Sequence, residues 1–317
     1  MTTTSHRRAL LKEHSMSFSY GLLFIVLSFG VENFFSAANI VGLLLSVAQI
    51  GMVACTMMLC LASRDFDLSV GSTIAFAGVL GAMVLERTGS VALAIGGGLA
   101  AGALIGAGNG VLIAYLRVNA LIATLATMLM VRGLAFIVSK GQAVGIADES
   151  FISFGDTLVF GLPLPVWLTA ACFLVFGVLL NHTVFGRNTL AIGGNPEAAR
   201  LAGVKVEQLR VWIFLLQGLV TAMAGLVLAS RITSGQPNAA TGFELDVISA
   251  CVLGGVSLQG GRARIFGVVI GVLIMGTVEN VMNLMNVDAF YQYLMRGIIL
   301  LAAVLLDQLK SRGERRV

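Results

Sequence analysis

The sequence predicts an all-α fold: a polytopic bundle of about ten transmembrane helices, with one short helix held outside the membrane. Three observations carry this. Of the 317 residues, 57% are hydrophobic and only 11% are charged, under half the charged share of an ordinary soluble domain, so the surface cannot be clothed for water. Apolar runs recur from Ser17 to Leu306, and a spanning helix needs roughly 20 such residues. The runs are continuous rather than alternating, which argues against a barrel and leaves helices, whose backbone groups are satisfied within the segment. Thirty-eight glycines suit helices that approach backbone to backbone in lipid.

The runs place helices at 17–31, 40–61, 69–86, 91–116, 119–139, 163–181, 211–230, 243–257, 264–286 and 290–308. The first follows basic residues and resembles a signal peptide, but without a convincing small-x-small cleavage site it is read as a membrane helix. Asp67 is placed to cap the third helix and Asn119 the fifth. Pro163 and Pro165 suit the entry to the sixth, where a missing N–H costs little. The eighth is short and reads as tilted, broken or partly re-entrant. The chain divides into a tail (1–16), one membrane domain (17–308) with a long loop at 181–210, and a second tail (309–317).

Lysines and arginines set the orientation. With the N-terminus in the cytoplasm, the inner segments hold Arg7, Arg8, Lys12, Arg64, Arg117, the basic cluster from Arg187 to Arg210, Arg262, Arg264, Lys310, Arg312, Arg315 and Arg316. The outer side holds only Arg87, Lys140 and Arg231, and Arg132 and Arg296 lie within helices near their outer ends. Both termini are therefore expected in the cytoplasm of a multi-pass membrane protein. The net charge of +4 reflects this topology and is no sign of nucleic-acid binding. Cys55, Cys60, Cys172 and Cys251 all sit in apolar runs and read as small core hydrophobes. His6, His14 and His182 are scattered outside the spans, so no metal or catalytic cluster is expected.

The 181–210 loop carries the most information. Asn195 is a good N-cap, Pro196 fits the first helical position, and Glu197 suits the positive end of the dipole. Ala198, Ala199, Leu201 and Ala202 propagate a short helix, and Gly203 stops it. A helix this short is marginal alone and needs a docking surface, on this protein or on a partner. Glu197-Ala198-Ala199 followed by Gly203 resembles the first half of the EAA motif of ABC importer permeases. The I-x-L-P continuation is absent, a departure similar to the ribose, arabinose and xylose branch. FDLSVG from Phe66, NALIATLAT from Asn119 and VLGGVSLQGG from Val252 resemble the same branch, so the likeness runs from the second helix onward.

The resemblance implies a permease subunit that passes a monosaccharide across the bacterial inner membrane, with L-arabinose foremost and ribose, xylose or galactose as alternatives. It also implies a second copy of the chain, a cytoplasmic ATPase subunit that grips the coupling helix (Asn195, Pro196, Glu197, Ala198, Ala199, Gly203), and a periplasmic sugar-binding protein. It implies no cofactor. No glycine precedes a lysine, so the chain has no Walker A loop of its own.

Asp65 and Asp67 have two readings: a cap with local pairing to Arg64, or a turn that shapes the pathway or its inner gate. Glu279, Asn283 and Asn286 share one helix face, read as pathway or subunit interface against simple helix-end polarity. Arg132 and Arg296 can snorkel outward or pair with Glu279. Gly102, Gly106 and Gly110, and Gly267 with Gly271, read as close helix contacts. Two rival functions remain. An ion-coupled transporter would need broken helices with carboxylates near the midplane. An intramembrane enzyme would need a nucleophile with its base or clustered metal ligands.

Overall fold

The structure, a computed structural model, describes residues 3–314, with side chains from Met16 to Leu305 and at Gln308. Residues 1–2 and 315–317, and the side chains of Arg7, Arg8, Lys12, Lys310 and Arg312 from the charge argument, lie outside what is described. Thirteen helices lie in this region. They are α1 Thr3–Gly30, α2 Ala37–Ala62, α3 Val70–Thr88, α4 Val91–Ala114, α5 Ala120–Ser139, α6 Glu149–Asp156 and α7 Leu164–His182, then α8 Val184–Gly194, α9 Pro196–Leu201, α10 Val206–Arg231, α11 Phe243–Leu253, α12 Ile265–Leu284 and α13 Ala289–Glu314. The strands are two-residue pieces: β1 Val144–Gly145 pairs with β4 Ser234–Gly235, and β2 Leu158–Val159 with β3 Leu162–Pro163.

Seven of the described helices, α2, α3, α4, α5, α7, α10 and α12, are long and apolar enough to cross a membrane. Shorter apolar stretches occupy Met16–Gly30 of α1 and Ala289–Leu305 of α13. All ten expected helices exist, but α11 has 11 residues, too few to span on its own. Three further helices, α6, α8 and α9, lie in the long connections. Helix α1 begins at Thr3 rather than 17, and α13 runs on to Glu314, because the flanking Ala, Leu, Lys, Glu and Arg residues are good helix formers even where they are polar.

Helix α2 is the axis. Met52 to Ala62 are buried on every side, as expected of a helix apolar all round. Helices α7, α10, α11 and α12 surround it. Around α10 the packing is made by glycine. Cβ atoms at Gly102, Gly106 and Gly110 of α4 would collide with Gly218, Phe214 and Val211 of α10. Gly225 of α10 meets Ile74 of α3 in the same way. The second stripe, Gly267 and Gly271 of α12, lies on Gly254 and Ala250 beside and within α11. Both stripes are thus close helix contacts.

Two stretches of non-helical chain run back into the bundle. Residues 63–69 lead from α2 to Ser69, which meets Asn109, five residues before the end of α4 and so ~7 Å inside it at 1.5 Å per residue. From the opposite end, residues 232–242 pass Gly78 and Val79 of α3 at Gly235, and reach the start of α3 at Ala240. Helices α3 and α11 therefore both begin inside the protein. Irregular backbone at such depth persists only when protein satisfies it. Arg132 of α5 does so, donating from one guanidinium nitrogen to the carbonyls of Pro237 (2.8 Å) and Ala239 (2.7 Å). It does not snorkel, because these carbonyls have more need of it than water has.

The α4–α10 seam gives a direct test. Gly106→Ala should destabilise the protein by about 1–3 kcal/mol through overpacking, lowering its melting temperature in detergent. Gly108→Ala, which meets open space, should not. Equal melting temperatures would mean that the seam is loose.

Candidate functional site

Asn195 caps α9: its Oδ1 accepts from the N–H groups of Glu197 (3.0 Å) and Ala198 (3.1 Å), an arrangement contributing about 1 kcal/mol. Pro196 stands at N1. At the other end Gly203 takes φ +86°. Its N–H donates to the Arg200 carbonyl and that of Val204 to the Ala199 carbonyl, each at 3.0 Å. This pair of bonds is a Schellman closure, which requires a left-handed residue here. Ala199 is buried against the bundle. Glu197, Ala198 and Ala202 face outward, and Leu201 is 90% exposed. Arg200 bridges Glu197 and Glu207, tying α9 to the root of α10.

The residue before this cap is also anchored. Arg64, itself at φ +68°, donates to the carbonyls of Gly194 (3.1 Å) and Gln259 (2.6 Å). A Cβ at Gly193 would overlap the Ala62 carbonyl, and Gly261 N–H donates to that same carbonyl at 2.9 Å. The end of α2, the end of α8 and the glycine-rich 254–261 loop are thus one knot, with α9 beginning at its edge.

Asp65 and Asp67 do not pair with Arg64, whose guanidinium is spent on carbonyls. Arg210 Nε stands 3.0 Å from Asp65 Oδ2, as an ion pair whose N–H is not aimed at the oxygen. Burial pushes the Asp65 carboxyl up to about 6, against the pull of Arg210 and a hydrogen bond from Ser63. Nor is Asp67 the cap of α3; Ser69 holds that position. Asp67 Oδ1 accepts from the N–H (2.9 Å) and hydroxyl (2.6 Å) of Ser69, an Asx turn, and burial raises its pKa against those bonds. The chain of donors continues inward. Asn109 donates to the Ser69 hydroxyl at 3.0 Å, and Thr127 donates to Asn109 at 2.6 Å. Asn109 and Thr127 escaped the sequence reading because one polar residue in a long apolar run has no visible partner.

The α12 face divides. Glu279 pairs with Arg296 of α13 at 2.8 Å, and Arg296 also reaches Asp246 of α11 at 3.3 Å. Asn283 is exposed and accepts from Gln292 at 2.9 Å, while Asn286 forms the turn beyond the helix at φ +52°. Arg132 has no part in this pairing. The predicted site residues therefore fall into three places: Asn195 to Gly203 on α9, Asp65 and Asp67 in the 63–69 connection, and Glu279 with Asn283 toward the opposite end of the bundle.

Helices α3 and α11 start inside the bundle, an arrangement an ion-coupled transporter could also use, with Glu244 beside Gly71 where they meet. The comparisons decide between the readings. Residues 39–304 match a family model described as branched-chain amino acid transport system / permease component. The chain belongs to this permease family. The permease is 57% identical over 305 residues to the L-arabinose transport system permease protein of Escherichia coli (strain K12), covering 96% of this chain and 93% of that one. It is 55% identical over 295 residues to the L-arabinose ABC transporter permease protein of Azospirillum brasilense, covering 93% and 87%. The ribose import permease protein of Escherichia coli (strain K12) is 38% identical over 317 residues, covering 98% and 99%. No solved structure matches.

The Asp65 carboxyl predicts a pH signature. The folded group holds its proton up to about pH 6, whereas the unfolded one releases it near pH 4. Its contribution to stability is full below the unfolded value and is lost as pH rises through 6. The melting temperature of the wild type relative to Asp65→Asn should therefore fall between about pH 4 and pH 7. An unchanged difference would place Asp65 in a setting that does not favour its protonated form.

Proposed function

We propose that this permease is the translocating subunit of an ATP-driven L-arabinose importer in the bacterial inner membrane. The observation that carries this is the gradient of identity: 57% and 55% to permeases named for L-arabinose, against 38% to one named for ribose. The assembly has two copies of the chain, a cytoplasmic ATPase subunit and a periplasmic binding protein. The distribution of arginine and lysine supports placing both termini and α9 in the cytoplasm. Residues 17–308 form one membrane domain, with 181–210 as its coupling region and short cytoplasmic tails on either side.

On this reading α9 is the coupling helix. Its outward face of Glu197, Ala198 and Leu201 offers the ATPase an apolar centre beside a charge, and Asn195, Pro196, Ala199 and Gly203 hold its shape. A push on α9 reaches Arg64 through Gly194, and from there the Asp65–Arg210 pair and the Asp67–Ser69 turn at the base of α3. Those aspartates act as the inner gate. Glu279 belongs to the outer part of the pathway, with Asn283 at its rim. ATP hydrolysis takes place in the partner, and this chain needs no cofactor.

The test is uptake of labelled L-arabinose into proteoliposomes holding this chain, its ATPase and its binding protein, with ribose, xylose and galactose alongside. ATP-dependent uptake of L-arabinose that disappears without the ATPase is expected. Uptake that persists without the ATPase would revive ion coupling, and preference for another sugar would replace the substrate. In the same assay Leu201→Asp should cut uptake at least tenfold while changing stability by under about 0.5 kcal/mol, since it alters only an exposed side chain. Normal uptake in that variant would remove α9 from the coupling contact.

A further inference from the structure

A cavity of about 340 Å³ opens among α2, α11, α12 and α13, at the end of the bundle away from α9. Its size falls at the lower end of small-molecule pockets. Gln49, Arg231, Phe243, Asp246, Glu279 and Arg296 line it. Two carboxylates and two guanidinium groups make the lining electrically neutral, which suits an uncharged ligand better than an ion. Arg296 fixes both carboxylates by one oxygen each, at 3.3 Å to Asp246 Oδ2 and 2.8 Å to Glu279 Oε1, and its own guanidinium lies 5.8 Å from the Tyr293 ring centroid. The Arg296 contacts leave the second oxygen of each carboxylate, Asp246 Oδ1 and Glu279 Oε2, outside the ion pairs. The Gln49 Nε2 amide is buried and has no partner among the described residues. An unpaired buried donor is costly, and its retention beside two carboxylates that Arg296 holds by one oxygen each points to a ligand that carries both donors and acceptors.

We propose that this cavity is a monosaccharide site within the permease itself. Hydroxyl groups of the sugar donate to Asp246 and Glu279, an oxygen of the sugar accepts from Gln49, and its C–H face lies on the Phe243 ring. The proposal rests on the sugar-import reading above and adds a first acceptor at the outer mouth, which takes sugar as the binding protein releases it. The lining comes from four helices and the end of a fifth, so no sequence window contains the cluster.

The experiment is equilibrium dialysis of labelled L-arabinose against the permease–ATPase complex in nanodiscs, without binding protein. Saturable binding, displaced by unlabelled L-arabinose, is expected. Gln49→Leu should weaken it at least tenfold and raise the sugar concentration that half-saturates uptake. This variant should fold, because it replaces an unpartnered amide with hydrocarbon of similar size. Asp246→Asn, with Arg296 still held by Glu279, should weaken binding as well. Absence of saturable binding at millimolar sugar, in a complex that imports the sugar once binding protein is added, overturns the site and leaves the import function standing. Wild-type binding by both variants overturns it too. A complex that imports no sugar even with binding protein defeats the import reading, and this site with it.

Discussion

Every backbone N–H and C=O inside the bilayer must find a partner within the protein, and this requirement organises the molecule. Seven helices meet it along their own length. Segments 63–69 and 232–242 do not, and side chains supply part of what each needs: the Asp67 carboxylate takes the Ser69 N–H, and Arg132 takes the Pro237 and Ala239 carbonyls. Two charged residues are thereby committed to holding irregular chain inside the bundle. In return α3 and α11 begin in the interior, and polar backbone reaches a depth where continuous helices would present only apolar side chains.

The two ends of the bundle are built differently. At the α9 end, close glycine contacts and Arg64 lock α2, α8 and the 254–261 loop together. Displacement of α9 therefore moves the connection to α3 as a body rather than dissipating in a flexible loop. At the other end the contacts are charged and less crowded. Arg296 holds α11, α12 and α13 together by two carboxylates around a cavity. A stiff end and an open end suit the proposed importer, in which force would arrive at α9 and solute at the cavity.

Between them, α2 is buried along most of its length, and α10 is seated on α3 and α4 through glycine. Where backbones touch without side chains there is no slack, so relative motion takes the form of rigid helices shifting together. The looser polar chain from Thr127 through Asn109 and Ser69 to Asp67 links α5, α4 and the base of α3 through hydrogen bonds, which can re-form as those helices move.

Much was legible in the residues taken in order. Apolar run length is a local property, so all ten expected helices appear, and the α9 cap and its left-handed stop could be read from Asn195, Pro196 and Gly203. The EAA-like stretch pointed to the family that the comparisons confirm. Partner choice among charges was not legible. Arg64 and Asp65 are neighbours yet turn away from one another, Arg132 serves carbonyls 105 and 107 residues later, and Asp246, Glu279 and Arg296 meet across three helices. The sequence by itself determined where the long apolar helices and the short capped helix α9 form, since hydropathy and capping act over a few residues. Only the tertiary structure decided which buried charges and amides meet, and where the chain doubles back, since desolvated groups take whichever partner packing brings within reach.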